Sequence, residues 1–168
     1  RFAPDVLILI DYPGFNLRMA RFAHERGIPV FYYIAPKVWA WKEWRVRQLR
    51  RYVDRLYTIF PFEGEYFRSK GIEPHFAGNP LADAIAARRP SFPSPGQFRR
   101  DHGLDSRPIV ALLAGSRRSE IRANLKFMAH IARRMPDRQF VVAGVSWIER
   151  AEYDRMTRDM PVATVCDA

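Results

Sequence analysis

The residues best suited to carry chemistry lie in residues 108–121, where the sequence reads Pro-Ile-Val-Ala-Leu-Leu-Ala-Gly-Ser-Arg-Arg-Ser-Glu-Ile. An apolar run without alternation precedes the turn and predicts a parallel strand that is buried on both faces. Gly115 lets the backbone approach a ligand closely, and Ser116 or Ser119 can cap a helix whose free N–H groups point into the turn. Arg117 adds a planar guanidinium that suits two phosphate oxygens. The segment predicts a nucleotide or phosphate site, with an ordinary turn and a solvent-exposed arginine as the alternative.

Asp11 follows a second apolar run of the same kind, residues 6–10. Because ligands bind at the carboxyl ends of the strands in open α/β sheets, Asp11 is a candidate catalytic base or a residue that orients the base. An aspartate that only stabilises the turn is an equally supported alternative. Asn16 is predicted to cap a helix that continues to about Glu25. Asp5 is the other acidic candidate, and it lies at the start of the same predicted strand.

Three tryptophans within six residues, Trp39, Trp41 and Trp44, are surrounded by lysine and arginine. The apolar residues that follow keep helical spacing and predict a helix over residues 42–54, whose polar face, including Arg47, is strongly basic. Aromatic residues beside a basic amphipathic helix are typical of a membrane surface or a site for an anionic amphiphile. The alternative is a solvated basic face with tryptophans in the core, and core packing is the favoured interpretation for Trp39 and Trp41 taken singly.

The composition predicts a globular protein with anionic partners. Of the 168 residues 48% are hydrophobic, and 28 Lys and Arg against 18 Asp and Glu give a net charge of +10. This charge favours nucleic acid, an acidic membrane or phosphorylated ligands without choosing among them. A single cysteine, Cys166, excludes a disulfide or a cysteine metal cluster within these residues and favours the cell interior. No spacing of His, Asp and Glu resembles a metal site, and no cofactor is expected. No apolar run reaches the roughly 20 residues that cross a bilayer, so any membrane association is expected to be peripheral.

Strands alternate with helices on both sides of a proline-rich stretch, which predicts parallel sheets in two Rossmann-like domains. We expect part of an N-terminal domain in residues 1–87, a linker in residues 88–107, and the start of a C-terminal domain in residues 108–168. The chain begins without Met and ends inside an apparent strand, so both domains are expected to be incomplete pieces of a longer protein.

Four stretches resemble, in order and spacing, the lipid-A-disaccharide synthase family. They are residues 4–16 (Pro-Asp-Val-Leu-Ile-Leu-Ile-Asp-Tyr-Pro-Gly-Phe-Asn), 33–41 (Tyr-Ile-Ala-Pro-Lys-Val-Trp-Ala-Trp), 60–63 (Phe-Pro-Phe-Glu) and 112–117 (Leu-Leu-Ala-Gly-Ser-Arg). The resemblance implies an inverting glycosyltransferase of the GT-B fold, with a cleft between its two domains. Such enzymes join UDP-2,3-diacylglucosamine to 2,3-diacylglucosamine 1-phosphate and release UDP. They work without a metal at the inner, cytoplasmic face of the cytoplasmic membrane.

The resemblance also implies roles for single residues. Gly115, Ser116 and Arg117 are expected to face the diphosphate of the donor. The N-terminal part is expected to face the lipid acceptor and the membrane, and the candidate residues there are Asn16, Trp39, Trp41 and Arg47. Asp5 matches an acidic position of the family, whereas Asp11 lies nearer the expected ligand edge and is the first choice for the base.

The sequence departs from the family pattern at three positions. Gly14 stands where many members carry an acidic residue, so no catalytic role is transferred to it. Ala114 replaces a usual proline, and Asn79 replaces a histidine in the Gly-His-Pro-Leu-x-Asp stretch that joins the domains. The alternatives are another UDP-sugar enzyme of the same fold (a peptidoglycan glucosaminyltransferase or a UDP-GlcNAc epimerase) and a basic nucleic-acid-binding module. The main interpretation expects no nucleic acid partner and leaves a homodimer open.

Overall fold

The computed structural model describes residues 3–166, which form an α/β protein with two separate parallel sheets. The chain divides into two compact units, Arg1–Ser91 and Phe92–Ala168. The first and last residues of the predicted domains, at positions 1 and 168, lie outside the described residues. The predicted linker over residues 88–107 remains a prediction, and it contains a short helix and a 3₁₀ turn.

The N-terminal unit contains a four-stranded parallel sheet in the order β1-β2-β3-β4. Its strands are β1 (Leu7–Ile10), β2 (Val30–Tyr33), β3 (Arg55–Thr58) and β4 (Pro74–Phe76). Its helices are α1 (Pro13–His24), α2 (Val46–Tyr52), α3 (Glu63–Ser69) and α4 (Pro80–Arg88), with 3₁₀ turns at Glu43–Arg45 and Arg89–Ser91. The strand–helix alternation predicted from the sequence is confirmed here.

The core of this unit lies on one face of the sheet. Leu9 pairs in register with Tyr32, which pairs with Leu56, and all three side chains are buried. They pack with buried residues from three helices, namely Leu17, Ala20 and Ala23 of α1, Val46 and Leu49 of α2, and Phe67 of α3. On the other face Ile8 and Ile10 are 60% and 57% exposed. The prediction that this strand is buried on both faces is therefore wrong for the described residues.

The first helix begins earlier than predicted, because Pro13 occupies its first turn, where the fixed φ of proline suits a helix and its missing N–H costs nothing. Asn16 lies inside α1 and does not cap it, which corrects the sequence-based expectation. The predicted helix over residues 42–54 is a 3₁₀ turn followed by α2, and its apolar stripe is confirmed by the burial of Val46 and Leu49.

The C-terminal unit contains a three-stranded parallel sheet in the order β5-β6-β7. Its elements are α5 (Pro95–Asp101), β5 (Ile109–Leu112), α6 (Arg118–Ala132), β6 (Gln139–Gly144), α7 (Arg150–Thr157) and β7 (Val162–Cys166). Leu112, Val142, Ile121 and Tyr153 are at the centre of its core. Ala111, on the face of β5 opposite to Leu112, is exposed, and Leu113 just after the strand is 74% exposed, so burial on both faces is wrong here too. The predicted fold class, two Rossmann-like parallel-sheet units as in part of a GT-B fold, is confirmed.

Candidate functional site

The turn between β5 and α6 is fixed by side chains that lie outside it. Asn124 on α6 donates its Nδ2–H to the carbonyl oxygen of Ala114 at 2.9 Å. Trp147 donates its indole Nε1–H to the carbonyl oxygen of Ser116 at 3.1 Å. Gly115, between these two anchored residues, has φ +120°, a conformation that other residues rarely adopt. The turn therefore keeps a set shape, with its N–H groups at the start of α6.

The carboxyl group of Glu120 caps this turn. Its Oε2 accepts from the backbone N–H groups of Ser116 at 3.4 Å and Arg117 at 3.3 Å, and its Oε1 accepts from Arg117 Nη1 at 2.6 Å. The hydrogen bond from the Arg117 side chain is the largest of the effects that hold the pKa of Glu120 below its usual value. The prediction that Ser116 or Ser119 caps the helix is wrong, because an acidic residue at the third helical position takes that role.

The same turn presents hydrogen-bond donors that point outward. The Arg117 side chain is 78% exposed, and the backbone N–H groups of Arg118 and Ser119 have no acceptor among the described residues. The Arg118 side chain is turned away, because its Nη1 lies 2.7 Å from the buried carboxylate of Glu152, which also contacts Arg122 at 3.3 Å. One guanidinium and a helix N-terminus thus form a cradle that can bind an anion such as a phosphate. The three predicted residues Gly115, Ser116 and Arg117 lie together in it.

In the N-terminal unit, Asp11 lies directly after β1 with its backbone in the left-handed region, at φ 46°. Its carbonyl oxygen accepts from the buried Tyr32 hydroxyl at 2.6 Å and from Asn16 Nδ2 at 2.7 Å. Asn16 Nδ2 also donates to the carbonyl oxygen of Ile10 at 3.0 Å. Burial and the nearby Asp11 carboxylate raise the pKa of Tyr32 above its usual value. These contacts hold the backbone at Asp11, and the Asn16 side chain makes two of them.

Backbone strain is concentrated at this edge of the sheet. Tyr12, next to Asp11, has φ 42°, and Ile34, directly after β2, has φ 60°. Positive φ is unusual for any residue but glycine and is a real outlier for a β-branched one. Such strain persists only where the surrounding structure fixes it, and it is concentrated at functional sites.

The carboxyl group of Asp11 is exposed and has no hydrogen-bond or ion-pair partner within residues 3–166, so it is free to contact a ligand. Asp5 is also exposed, but it precedes β1 and lies at the opposite edge of the sheet. Six residues of extended chain separate the two carboxylates by roughly 20 Å. The structure therefore brings Asp11 together with Asn16 and leaves Asp5 apart from both.

The tryptophans beside this edge are exposed, which corrects the preference for core packing. Trp39, Trp41 and Trp44 are 41%, 61% and 59% exposed. The Lys42 ammonium lies 4.2 Å from the centre of the Trp41 ring. Arg47 is exposed on α2. The side chains of Trp39, Trp41, Lys42, Trp44 and Arg47 are here called the tryptophan surface, which is both apolar and basic. No described helix is long and apolar enough to cross a bilayer.

Comparison with known proteins identifies the family. Residues 2–160 match the family model described as lipid-A-disaccharide synthetase. The chain belongs to the lipid-A-disaccharide synthetase family. Membership confirms the resemblance noted in the sequence and favours it over the other UDP-sugar enzymes and the nucleic-acid-binding module.

Three relatives, each named lipid-A-disaccharide synthase, illustrate the match. The protein of Trichlorobacter lovleyi is 39% identical over 98% of this chain and 46% of its own length. That of Myxococcus xanthus is 41% identical over 89% of this chain and 39% of its own length. That of Syntrophus aciditrophicus is 46% identical over 77% of this chain and 33% of its own length. The chain spans between a third and a half of the length of these relatives.

In this member of the lipid-A-disaccharide synthetase family, two residues that shape the candidate site, Glu120 and Tyr32, were not predicted from the sequence. Glu120 caps the turn, and its position three residues after the cap was the available signal. Tyr32 holds the carbonyl oxygen of Asp11, and no sequence pattern indicates that contact, because it depends on the pairing of β1 with β2.

Proposed function

We propose that the protein containing this chain is an inverting glycosyltransferase that joins UDP-2,3-diacylglucosamine to 2,3-diacylglucosamine 1-phosphate. The products are the β-1,6-linked lipid A disaccharide 1-phosphate and UDP. The match of residues 2–160 to the lipid-A-disaccharide synthetase family is the observation that carries this proposal. The geometry of the two units supports a role for the candidate residues other than Asp5, which precedes β1 and lies apart from Asp11 and Asn16.

The turn after β5 is proposed to bind the donor diphosphate. Its exposed Arg117 guanidinium and the free N–H groups of Arg118 and Ser119 are suited to phosphate oxygens. The contacts from Glu120 to the backbone of the turn are long, at 3.3–3.4 Å, and a bound phosphate would take the place of the Glu120 carboxylate at these N–H groups. The short contact from Glu120 to Arg117, at 2.6 Å, holds the guanidinium beside the turn. Positive groups placed there stabilise the negative charge that develops on departing UDP.

Asp11 is proposed as the catalytic base. Its carboxyl group is unpartnered, and its backbone is fixed by Tyr32 and Asn16 at the edge where ligands bind in open α/β sheets. In the proposed step Asp11 takes the proton of the acceptor 6-hydroxyl while the oxygen bonds to the anomeric carbon of the donor. The bond from that carbon to the diphosphate oxygen breaks, and UDP leaves with the electron pair. Inversion follows because the hydroxyl attacks from the face opposite to UDP.

The tryptophan surface is proposed to contact the lipid acceptor and the cytoplasmic face of the inner membrane. Exposed rings beside basic side chains suit the boundary between acyl chains and anionic headgroups. Salt screens the charged part of such an attraction, since the Debye length is roughly 10 Å near 0.1 M. Flotation with phosphatidylglycerol vesicles should therefore fall on adding salt and on replacing Arg47, Arg50 and Arg51 with Gln. Unchanged flotation of the triple variant would mean that the basic face of α2 is only solvent-exposed and does not contact the membrane.

A thin-layer assay of the complete gene product tests the activity. The protein is incubated with both diacylated sugars, and we expect a disaccharide 1-phosphate and one equivalent of UDP. Omission of the lipid acceptor should abolish UDP release. Turnover of an undecorated UDP-sugar without any lipid acceptor would contradict the proposed function.

A further inference from the structure

Glu63, the first residue of α3, has a completely buried side chain at 0% exposure. Burial of a carboxyl group costs desolvation free energy, which hydrogen bonds must offset. The tryptophan surface begins directly beside it, because the segment after β2 and the turn after β3 lie at neighbouring strand ends.

Three N–H groups donate to Glu63, and they come from two different segments. Its Oε2 accepts from the backbone N–H groups of Ile59 at 3.2 Å and Phe60 at 3.1 Å, both in the turn after β3. Its Oε1 accepts from the indole Nε1–H of Trp39 at 3.3 Å, in the segment after β2. Both carboxyl oxygens are thus occupied, and the side chain ties the tryptophan segment to the end of the neighbouring strand.

The Trp39 ring is held on a second side by aromatic contacts. Phe62 meets it edge to face, with ring centres 5.1 Å apart and planes at 82°. Phe62 in turn stacks on Phe60, with centres 5.6 Å apart. Trp39 nevertheless keeps 41% of its surface exposed. A large ring that is fixed by a hydrogen bond and a ring contact, yet open to solvent, offers a rigid apolar wall to a ligand.

We propose that Glu63 is a positioning residue for the lipid acceptor, because it fixes Trp39 in the orientation that contacts the apolar part of that acceptor. The inference rests on the proposed function and adds a residue to its acceptor site. Glu63 does not touch the substrate, and it acts through the Trp39 indole. Fixing a contact surface before binding reduces the ordering cost that the complex would otherwise carry.

Glu63→Gln separates the contact of this side chain with Trp39 from its contacts with the backbone of Ile59 and Phe60. An amide has one acceptor oxygen, and the two backbone N–H groups hold it, so the amide NH₂ then faces the Trp39 N–H, donor against donor. We expect the Kd for 2,3-diacylglucosamine 1-phosphate in mixed micelles to rise about tenfold, as for one lost hydrogen bond of this kind. The Kd for UDP should stay within about twofold of wild type. Trp39→Phe should weaken lipid binding equally, and the double variant should be no weaker than either single one.

Glu65→Gln is the matched control, since Glu65 lies on the same helix and is exposed. The proposal is overturned if Glu63→Gln binds the lipid like Glu65→Gln, or if wild type does not bind it. It is also overturned if Glu63→Gln weakens UDP as much as the lipid, because Glu63 is then only structural. If Glu63→Gln does not fold, Trp39→Phe, which retains the backbone bonds of Glu63, removes the same hydrogen bond from the other side, and lipid binding like that of Glu65→Gln would then overturn the proposal. If lipid binding depends on Glu63 but the protein has no transferase activity, the proposed function is refuted and the positioning role of Glu63 is not.

Discussion

Replacing Tyr32 by Phe removes a single hydroxyl from the contact that holds Asp11. Tyr32 is fully buried, and its hydroxyl donates to the Asp11 carbonyl oxygen at 2.6 Å. Asn16 donates to the same oxygen at 2.7 Å, so the carbonyl keeps one partner in the variant. The cost is therefore the net value of one buried hydrogen bond, about 1 kcal/mol of unfolding free energy. The ring and its packing stay in place.

The catalytic cost should exceed the stability cost. Asp11 has a left-handed backbone, which costs an L-residue about 1–2 kcal/mol, and the two hydrogen bonds to its carbonyl oxygen help to hold it there. With one bond lost the proposed base is less well placed, and small misplacements are expensive in catalysis. We predict a fall of about tenfold in kcat with little change in KM, measured on the complete gene product at a temperature where both proteins are folded.

Alkaline unfolding supplies an independent readout. The pKa of Tyr32 is raised above its usual value of 10.0 in the folded protein, mainly by burial. The folded state therefore favours the protonated phenol, and its contribution to stability is fully present below pH 10 and is lost as the pH rises toward the folded pKa. Wild type should lose up to about 1.4 kcal/mol per pH unit more than Tyr32→Phe above pH 10. Urea titrations at several pH values measure this difference.

Tyr33→Phe is the control for both readouts, because Tyr33 is the neighbouring residue, lies on the opposite face of β2, and makes no hydroxyl hydrogen bond within the described residues. Equal kinetics and equal alkaline unfolding for the two variants would refute the positioning of Asp11 by Tyr32.

Three further predictions concern the C-terminal unit. Arg117 lowers the pKa of Glu120 below its usual 4.5. The stability that this carboxylate adds is therefore present above pH 4.5 and is lost as the pH falls through the pKa of the folded state. Unfolding of Glu120→Gln measured at several acidic pH values should not show this loss. Gly115→Ala should destabilise by about 1 kcal/mol or more and weaken UDP binding in calorimetry, because φ is +120° and the new Cβ would lie 3.0 Å from Glu120 Cβ. Replacing both Arg118 and Arg122 by Ala removes the cations beside the Glu152 carboxylate and should cost about 3 kcal/mol in urea unfolding, whereas Arg118→Ala alone should cost about 1 kcal/mol.

The sequence predicted most strands and helices and the turn between β5 and α6, because these depend on local patterns. Continuous apolar runs, glycines and prolines indicate strands and turns wherever the rest of the chain lies. Gly115 was identified in this way, and its positive φ agrees with that interpretation. The position of Asp11 after a strand followed from the same patterns.

Contacts that depend on strand pairing or on the side of the sheet that helices cover could not be predicted. The Tyr32–Asp11 contact needs the register of β1 and β2. Exposure of Ile8 depends on all three packed helices lying on one face. Exposed and buried tryptophans give the same local pattern, so Trp39 was assigned to the core. Glu120 was overlooked because two serines near the turn were equally good capping candidates.

The rate of disaccharide formation by Arg117→Ala in the complete gene product tests the proposed function most directly. Loss of a charge-assisted contact to the donor diphosphate should lower kcat/KM on the order of 10²-fold, about 2.7 kcal/mol, and Arg117→Lys should recover only part. Arg155→Ala is the control, because Arg155 is exposed on α7. The neighbouring Arg118 is unsuitable as a control, because its side chain forms an ion pair with Glu152. We predict wild-type turnover for Arg155→Ala, and all three variants should be folded at the assay temperature, although loss of the Arg117–Glu120 ion pair can lower the melting temperature slightly. Equal turnover of Arg117→Ala and Arg155→Ala, with both proteins folded, would contradict the assignment of this turn to the donor.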